Sequence, residues 1–160
     1  MPDGFRIRPY RSSDEGFVVY SWLYTHARSD HGKRWYTGDN RAGGADHYWT
    51  HHRPIVVRLL RDAQTIVACD DADDEVIWGW ACVDGPDVLH YATVKHEAAK
   101  VDDGFAGELV EALIPGRLGR PQLVTHEQTG LRAVKVRPPS VWKWDPYWLA
   151  SRWARALEER

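Results

Sequence analysis

Four groups of residues in this chain are of types that move protons or bind anions. His90 sits in the apolar run Val88 to Lys95, where an imidazole that titrates near neutrality suits proton transfer. The same residue also reads as a partly buried histidine hydrogen-bonded across a sheet. Thr125, His126 and Glu127 close a second apolar run from Gln122, at the carboxyl edge where open α/β sheets collect ligands. Such an end reads equally as an ordinary solvated strand terminus. His47 and His51 are spaced i, i+4 with His52 adjoining, a spacing that can bring two imidazoles to one metal. No Glu follows His47 directly and no third ligand is set by spacing, so a solvated or substrate-facing helix is expected, and no metal. Finally, Asp102, Asp103 and Gly104 precede Phe105 and Ala106 at the start of a helical pattern, where unpaired N–H groups and the helix dipole favour an anion. Carboxylates in that position satisfy the same donors themselves.

The elements that would position these groups follow from periodicity. Phe5 to Tyr10 alternates as a half-exposed strand. Ser12 to Glu15 supplies capping residues for a helix with Phe17, Val18, Tyr20, Ser21, Trp22 and Tyr24. Ser29 to Ala45 reads as a long surface loop. A helix from Asp46 carries Ile55, Leu59 and Leu60, with Pro54 expected to kink or divide it. Strands are predicted at Thr65 to Asp70, Val76 to Val83, Val88 to Lys95 and Gln122 to His126, with an acidic turn from Asp70 to Glu75. In the third, Val76, Trp78 and Trp80 should share one face; in the fourth, His90 and Tyr91 should point to opposite faces. Phe105, Leu109, Val110, Leu113 and Ile114 form a helical stripe ended by Pro115 and Gly116. A last strand is expected within Val141 to Tyr147, then a short helix from Trp148 to Glu159.

Bulk properties bound the rest. At 160 residues, with 43% hydrophobic and 28% charged residues, the chain fits one globular α/β domain. A net charge of −2 and a pI near 6.4 give no global attraction to nucleic acid or anionic membrane. Cys69 and Cys82 fall in predicted strands and read as buried free thiols of a reducing compartment. The start of the chain lacks a basic segment followed by an apolar one, and no run reaches membrane-spanning length, so a soluble cytoplasmic location is expected. Of nine tryptophans, Trp22, Trp78 and Trp80 are expected in the core. Trp142, Trp144, Trp148 and Trp153 crowd the segment 141–160 beside Lys143, Arg152 and Arg155. That combination suits core or subunit interface, including a homodimer, and is also what nucleobase stacking uses.

The order of these elements is similar to the GNAT superfamily of N-acetyltransferases over nearly the whole chain, and to the GNAT-like proteins of tailed phages in particular. The likeness is carried by Ser21-Trp22-Leu23, Val67 to Asp70, Ile77 to Trp80, Leu89 to Lys95, and Trp144-Asp145-Pro146-Tyr147. It implies a single-domain GNAT-like mixed sheet flanked by helices on both faces, with the cofactor-binding core at about 76–119. It implies acetyl-CoA as cofactor, its pantetheine arm against the backbone of Thr93, Val94 and Lys95. The pyrophosphate would then lie over Gly104, Phe105 and Ala106, with Lys100 as a nearby cation. The family's Arg or Gln position falls on Val101, and Asp102 and Asp103 stand where a phosphate would approach.

By the same resemblance the reaction would move an acyl group from coenzyme A to an amine, which needs a base for the amine proton and an acid for the leaving thiolate. His90, His126 and Glu127 are the candidates for binding the amine or taking its proton, and Tyr147 for the thiolate acid. Tyr147 also reads as aromatic packing under Trp142 and Trp144. The acceptor would be a small-molecule or nucleobase amine. Two alternatives share the scaffold: a Mom-like enzyme modifying a nucleobase in DNA, and a non-catalytic binding or virion-associated protein.

Overall fold

The computed structural model describes residues 4–30, 45–102 and 104–158. The expected loop from Ser29 to Ala45, the side chain of His47 and all of Asp103 fall largely or wholly outside the described residues. Among the described residues six strands form one sheet in sequence order: β1 (Phe5–Pro9), β2 (Gln64–Asp70), β3 (Ile77–Asp84), β4 (Val88–Val94), β5 (Gln122–Val124) and β6 (Trp142–Trp144). The first four pair antiparallel through hairpins and a helical crossover, while β4–β5 and β5–β6 are parallel. Among the described residues four α-helices flank the sheet: α1 (Glu15–His26), α2 (Ala45–Asp62), α3 (Phe105–Leu113) and α4 (Trp148–Glu158). This is the mixed α/β arrangement that the hydrophobic pattern called for. Among the described residues no helix is long and apolar enough to cross a membrane.

The sheet separates two cores. On one face Leu109, Val110 and Leu113 of α3 pack on Ala81, Val83, Leu89 and Val94. On the other, Trp22 and Leu23 of α1, Leu59 and Leu60 of α2, and Leu149 of α4 pack on Trp80, Cys82 and Tyr91. Cys69 and Cys82 are both buried free thiols, and burial pushes the Cys82 thiol up to about 12. Near β1, the Arg8 guanidinium holds Asp14 through bonds of 2.7 and 2.8 Å. Burial alone would raise Asp14, but Arg8 and the Arg11 N–H outweigh it and keep the carboxyl below its usual range.

Three expectations are corrected by local geometry. The β2–β3 register shifts so that Ala68 pairs with Gly79 and Cys69 with Ile77, leaving Trp78 as a bulge residue. One extra residue inverts the alternation. Trp78 therefore meets Phe105 of α3, with ring centroids 5.2 Å apart, while Trp80 lies on the other face against Trp22 at 5.2 Å. A second bulge places Cys82 opposite Tyr91 and Val83 opposite Leu89, leaving His90 over. His90 and Tyr91 consequently do not face opposite sides: His90 packs on Trp148 of α4 and Tyr91 on Trp22 of α1. Finally, Pro54 does not divide α2, which continues as one helix on both sides of it. The carbonyl that Pro54 leaves without its helical partner belongs to exposed Thr50, where water can reach it, and buried Val56, Leu59 and Leu60 hold the following turns.

Candidate active site

Strands β4 and β5 pair only at Val88↔Leu123 and Leu89↔Val124, with Thr125 N–H donating to Leu89 O at 3.3 Å. Beyond that point they diverge. The divergence leads to a cavity of about 660 Å³ between the end of β4, α1 and the segment around residue 130. Lys95, Arg28 and Arg132 stand around it, with Phe17, Tyr20 and Tyr24 supplying its aromatic side. Lys95 Nζ lies 5.0 Å from the centre of the Phe17 ring, and Tyr20 and Tyr24 stack at 5.8 Å. Trp78 and Glu97 line it too, so three cations against one carboxylate, with four aromatic rings, make a surface suited to an anionic ligand with a planar portion.

The wedge between the strands is occupied by the chain itself. Gln128 Nε2 donates to His90 O at 3.0 Å and to His126 O at 2.8 Å, while its Oε1 accepts from Ala92 N at 3.3 Å. Gly130 O then accepts from Val94 N at 3.2 Å and from Thr93 Oγ1 at 2.9 Å. A Cβ at Gly130 would fall 2.3 Å from Ala92 O, so only glycine permits this approach. Lys95 N donates to Trp78 O at 2.8 Å. Of the backbone donors expected to meet a pantetheine arm, those of Val94 and Lys95 thus already have partners inside the protein.

The start of α3 is similarly satisfied. Asp102 Oδ1 accepts from Gly104 N at 2.9 Å and Phe105 N at 2.8 Å, so a carboxylate already sits on the donors a phosphate would use. Phe105 is anchored in the core, edge-on to Phe5 and Trp78. Lys100 is exposed in the 3-10 turn His96–Lys100, and Ala106 is half-buried. The capping arrangement expected for acids at this helix end is therefore what Asp102 forms. The large cavity suits a phosphorylated ligand by charge and size, whereas the α3 N-terminus does not.

A second cavity, of about 270 Å³, lies under α2 and α4 beyond the end of β5. His26, His52 and His126 converge on it, with Trp153 and Ile55 as apolar wall. His52 Nε2 and His126 Nε2 are 3.2 Å apart, and the His26 ring stacks on His52 at 4.9 Å. His26 also meets His126 edge-on at 5.0 Å. His126 Nδ1 is 3.1 Å from Thr125 Oγ1, which is 2.9 Å from His90 Nδ1. Among the described residues no group of three His, Cys, Asp or Glu is placed to hold a metal ion.

Tyr91, which is fully buried, lies between the two cavities. Tyr91 O–H lies 2.7 Å from Thr25 Oγ1 and 2.9 Å from Thr129 Oγ1, both of which line the larger cavity. Its ring faces His26 and His126 on the smaller side. Burial pushes the Tyr91 phenol up to about 12, so it stays protonated at neutral pH.

The sequence-predicted residues are distributed unevenly over this site. His126 faces the smaller cavity, as does its neighbour Thr125. His90 is fully buried and lines neither cavity; burial pushes its imidazole down to about 4 despite Asp84 nearby. Glu127 is half-buried and its Oε2 accepts from Asp30 N at 3.2 Å. Tyr147 is 76% exposed, so it neither packs under Trp142 and Trp144 nor faces either cavity. Of the helical histidines, His52 is drawn into the cluster while exposed His51 lines the cavity mouth. His26 was missed, because nothing in α1 marks it as different from any helix-terminal polar residue. Of the C-terminal tryptophans, Trp142 is buried and donates to Arg117 O, and Trp153 lies under Arg58 at 3.9 Å.

No family model matches this sequence, and no curated protein matches it. Among solved structures, the "GCN5-Related N-acetyltransferase: Aminotransferase, Class-II" of Rhodopseudomonas palustris is similar over 71% of this chain and 65% of its own, at 16% identity and a TM-score of 0.45. Apo-form YjaB of Escherichia coli is similar over 72% of this chain and 65% of its own, at 16% identity and a TM-score of 0.44. The chain thus spans 65% of the length of each structure it resembles, and each is a partial likeness of fold.

Proposed function

We propose that the chain is a GNAT-type acyltransferase that accepts a coenzyme A thioester in the 660 Å³ cavity and passes its acyl group to an amine. The carrying observation is the divergence of the parallel pair β4–β5 into a cavity ringed by Lys95, Arg28 and Arg132. The thioester, when bound, supplies an activated acyl group. The protein's part is to neutralise phosphate charge with these three cations and to present the acceptor from the histidine side. The amine nitrogen bonds to the acyl carbon, the carbon–sulfur bond breaks, the amine proton leaves to an imidazole, and the departing thiolate takes its proton from solvent. Tyr91, fully buried and bonded to Thr25 and Thr129, stands between the two sides, so its side chain would have to move aside for the amine nitrogen to reach the acyl carbon.

Thermal melting with and without acetyl-CoA tests this. A ligand at a hundred times its dissociation constant adds about 2.7 kcal/mol, and Lys95→Ala with Arg28→Ala should abolish most of that shift. No shift at any concentration overturns the reading. A second reading is favoured by Gln128, Gly130 and Asp102, which occupy the groups a cofactor would use. On that reading the scaffold is a non-catalytic binding protein, and acetyl-CoA leaves melting unchanged while another anion raises it.

A further inference from the structure

A line of polar side chains runs from the α4 surface to the histidine cavity. Arg152 lies 3.1 Å from Asp84 Oδ2, and the same oxygen is 3.6 Å from His90 Nε2. His90 Nδ1 is 2.9 Å from Thr125 Oγ1, which is 3.1 Å from His126 Nδ1, and His126 Nε2 faces His52 Nε2 at 3.2 Å. The line has a direction, because each member has few hydrogens. His90 is fully buried and neutral at pH 7, so one of its two nitrogens carries hydrogen and the other a lone pair.

His90 Nε2 is buried with no hydrogen-bond partner among the described residues, and the charged group facing it is the Asp84 carboxylate. At 3.6 Å the contact is long for a hydrogen bond, yet a lone pair facing that charge is repelled and an N–H attracted. With hydrogen on Nε2, His90 Nδ1 must accept, and among the described residues its hydrogen-bond partner is the Thr125 hydroxyl. Thr125 has no second hydrogen, so its oxygen can only accept from His126. His126 must then carry hydrogen on Nδ1, and its Nε2 presents a lone pair toward His52 and the cavity.

We propose that Asp84, acting through His90 and Thr125, fixes His126 as the Nδ1–H tautomer, which makes His126 Nε2 the proton-accepting nitrogen of the histidine cavity. His90 is then a positioning residue rather than the base, in the way that the hydrogen bond on one imidazole nitrogen sets the role of the other. The tautomer stands independently of any activity. Its use as the base that takes the amine proton rests on the acyltransfer reading.

The test is nitrogen NMR of histidine-labelled protein at pH 8, where long-range proton–nitrogen correlations separate protonated from unprotonated ring nitrogens. The expected result is His126 protonated on Nδ1 and His90 protonated on Nε2. Thr125→Val should leave His90 unchanged and convert His126 to a tautomer mixture, while Thr125→Ser restores the wild-type pattern. His126 protonated on Nε2 in the wild type overturns the proposal, as does a Thr125→Val protein with His126 unaltered. Should Thr125→Val not fold, Asp84→Asn read in the same experiment decides it, with redistribution at both histidines expected. Where acyl transfer is observed, Thr125→Val should lower turnover at least ~10-fold with the acetyl-CoA melting shift retained. A His126 tautomer mixture in Thr125→Val with unchanged turnover would uphold the positioning and remove the base role; absence of any acetyl-CoA effect would remove the acyltransfer reading alone.

Discussion

The two cavities are built by opposite means. The larger one, at the end of β4, is walled by side chains that reach in from exposed positions, and its backbone donors are bonded to Gln128 and Gly130. The smaller one is walled by buried His26 and His126 and half-buried His52, which contact one another, with Thr125 bonded to His126. The first is an electrostatic surface of largely exposed charges that salt screens. The second is a network in which each group fixes the next, so single changes propagate. The difference teaches where to look for binding and where for proton chemistry.

The largest expected effect separates them by pH. His90 has its folded value pushed down to about 4 by burial, below the ordinary 6.5. At pH 7 it is neutral in both folded and unfolded chains. As pH falls from 6.5 toward 4 the unfolded chain takes up a proton that the native site refuses, so stability drops, and below 4 this contribution no longer changes. The loss is on the order of 3 kcal/mol across that window. Denaturant midpoints of wild type and His90→Gln, compared from pH 7 to 4, should converge on acidification. Parallel curves would show that His90 is not held neutral, and the network would lose its direction.

A smaller effect probes the wedge. Gly130→Ala places a methyl against Ala92 O and Thr93, so the segment carrying Gln128 must lift from β4. Overpacking of this kind costs about 1–3 kcal/mol. If the lifted segment frees the β4 edge, acetyl-CoA should also protect this variant more than the wild type. Equal protection would mean that the wedge does not compete with a ligand.

The smallest effect lies at the α3 start. Asp102→Ala removes two accepted bonds and should destabilise by about 1 kcal/mol, whereas Asp102→Asn keeps an acceptor and should cost only a few tenths. Calorimetric titration of both with acetyl-CoA then asks whether the carboxylate faces a phosphate. Tighter binding by the Asn variant would extend the larger cavity toward α3, and unchanged binding would confine the ligand to the β4 end.

Local pattern was enough for most elements. The stripe Phe105, Leu109, Val110 and Leu113 could only be a helix packing on a sheet, and Asp102 could be read as its cap, because both depend on neighbours within one or two turns. The apolar runs that became β2 to β4 were equally clear. Strand faces were not, since the bulges at Trp78 and His90 are properties of pairing between strands and leave no mark in either strand alone. The sequence by itself therefore established the order of elements, the central strands and the residue types that could do chemistry. Tertiary structure alone brought His26 from α1, His52 from α2 and His126 from beyond β5 to one cavity, and turned His90 from a candidate base into a buried link. The physical reason is range: helix and strand patterns arise from contacts a few residues apart, whereas these histidines lie up to a hundred positions apart, and only the packing of the sheet with its helices sets their distance.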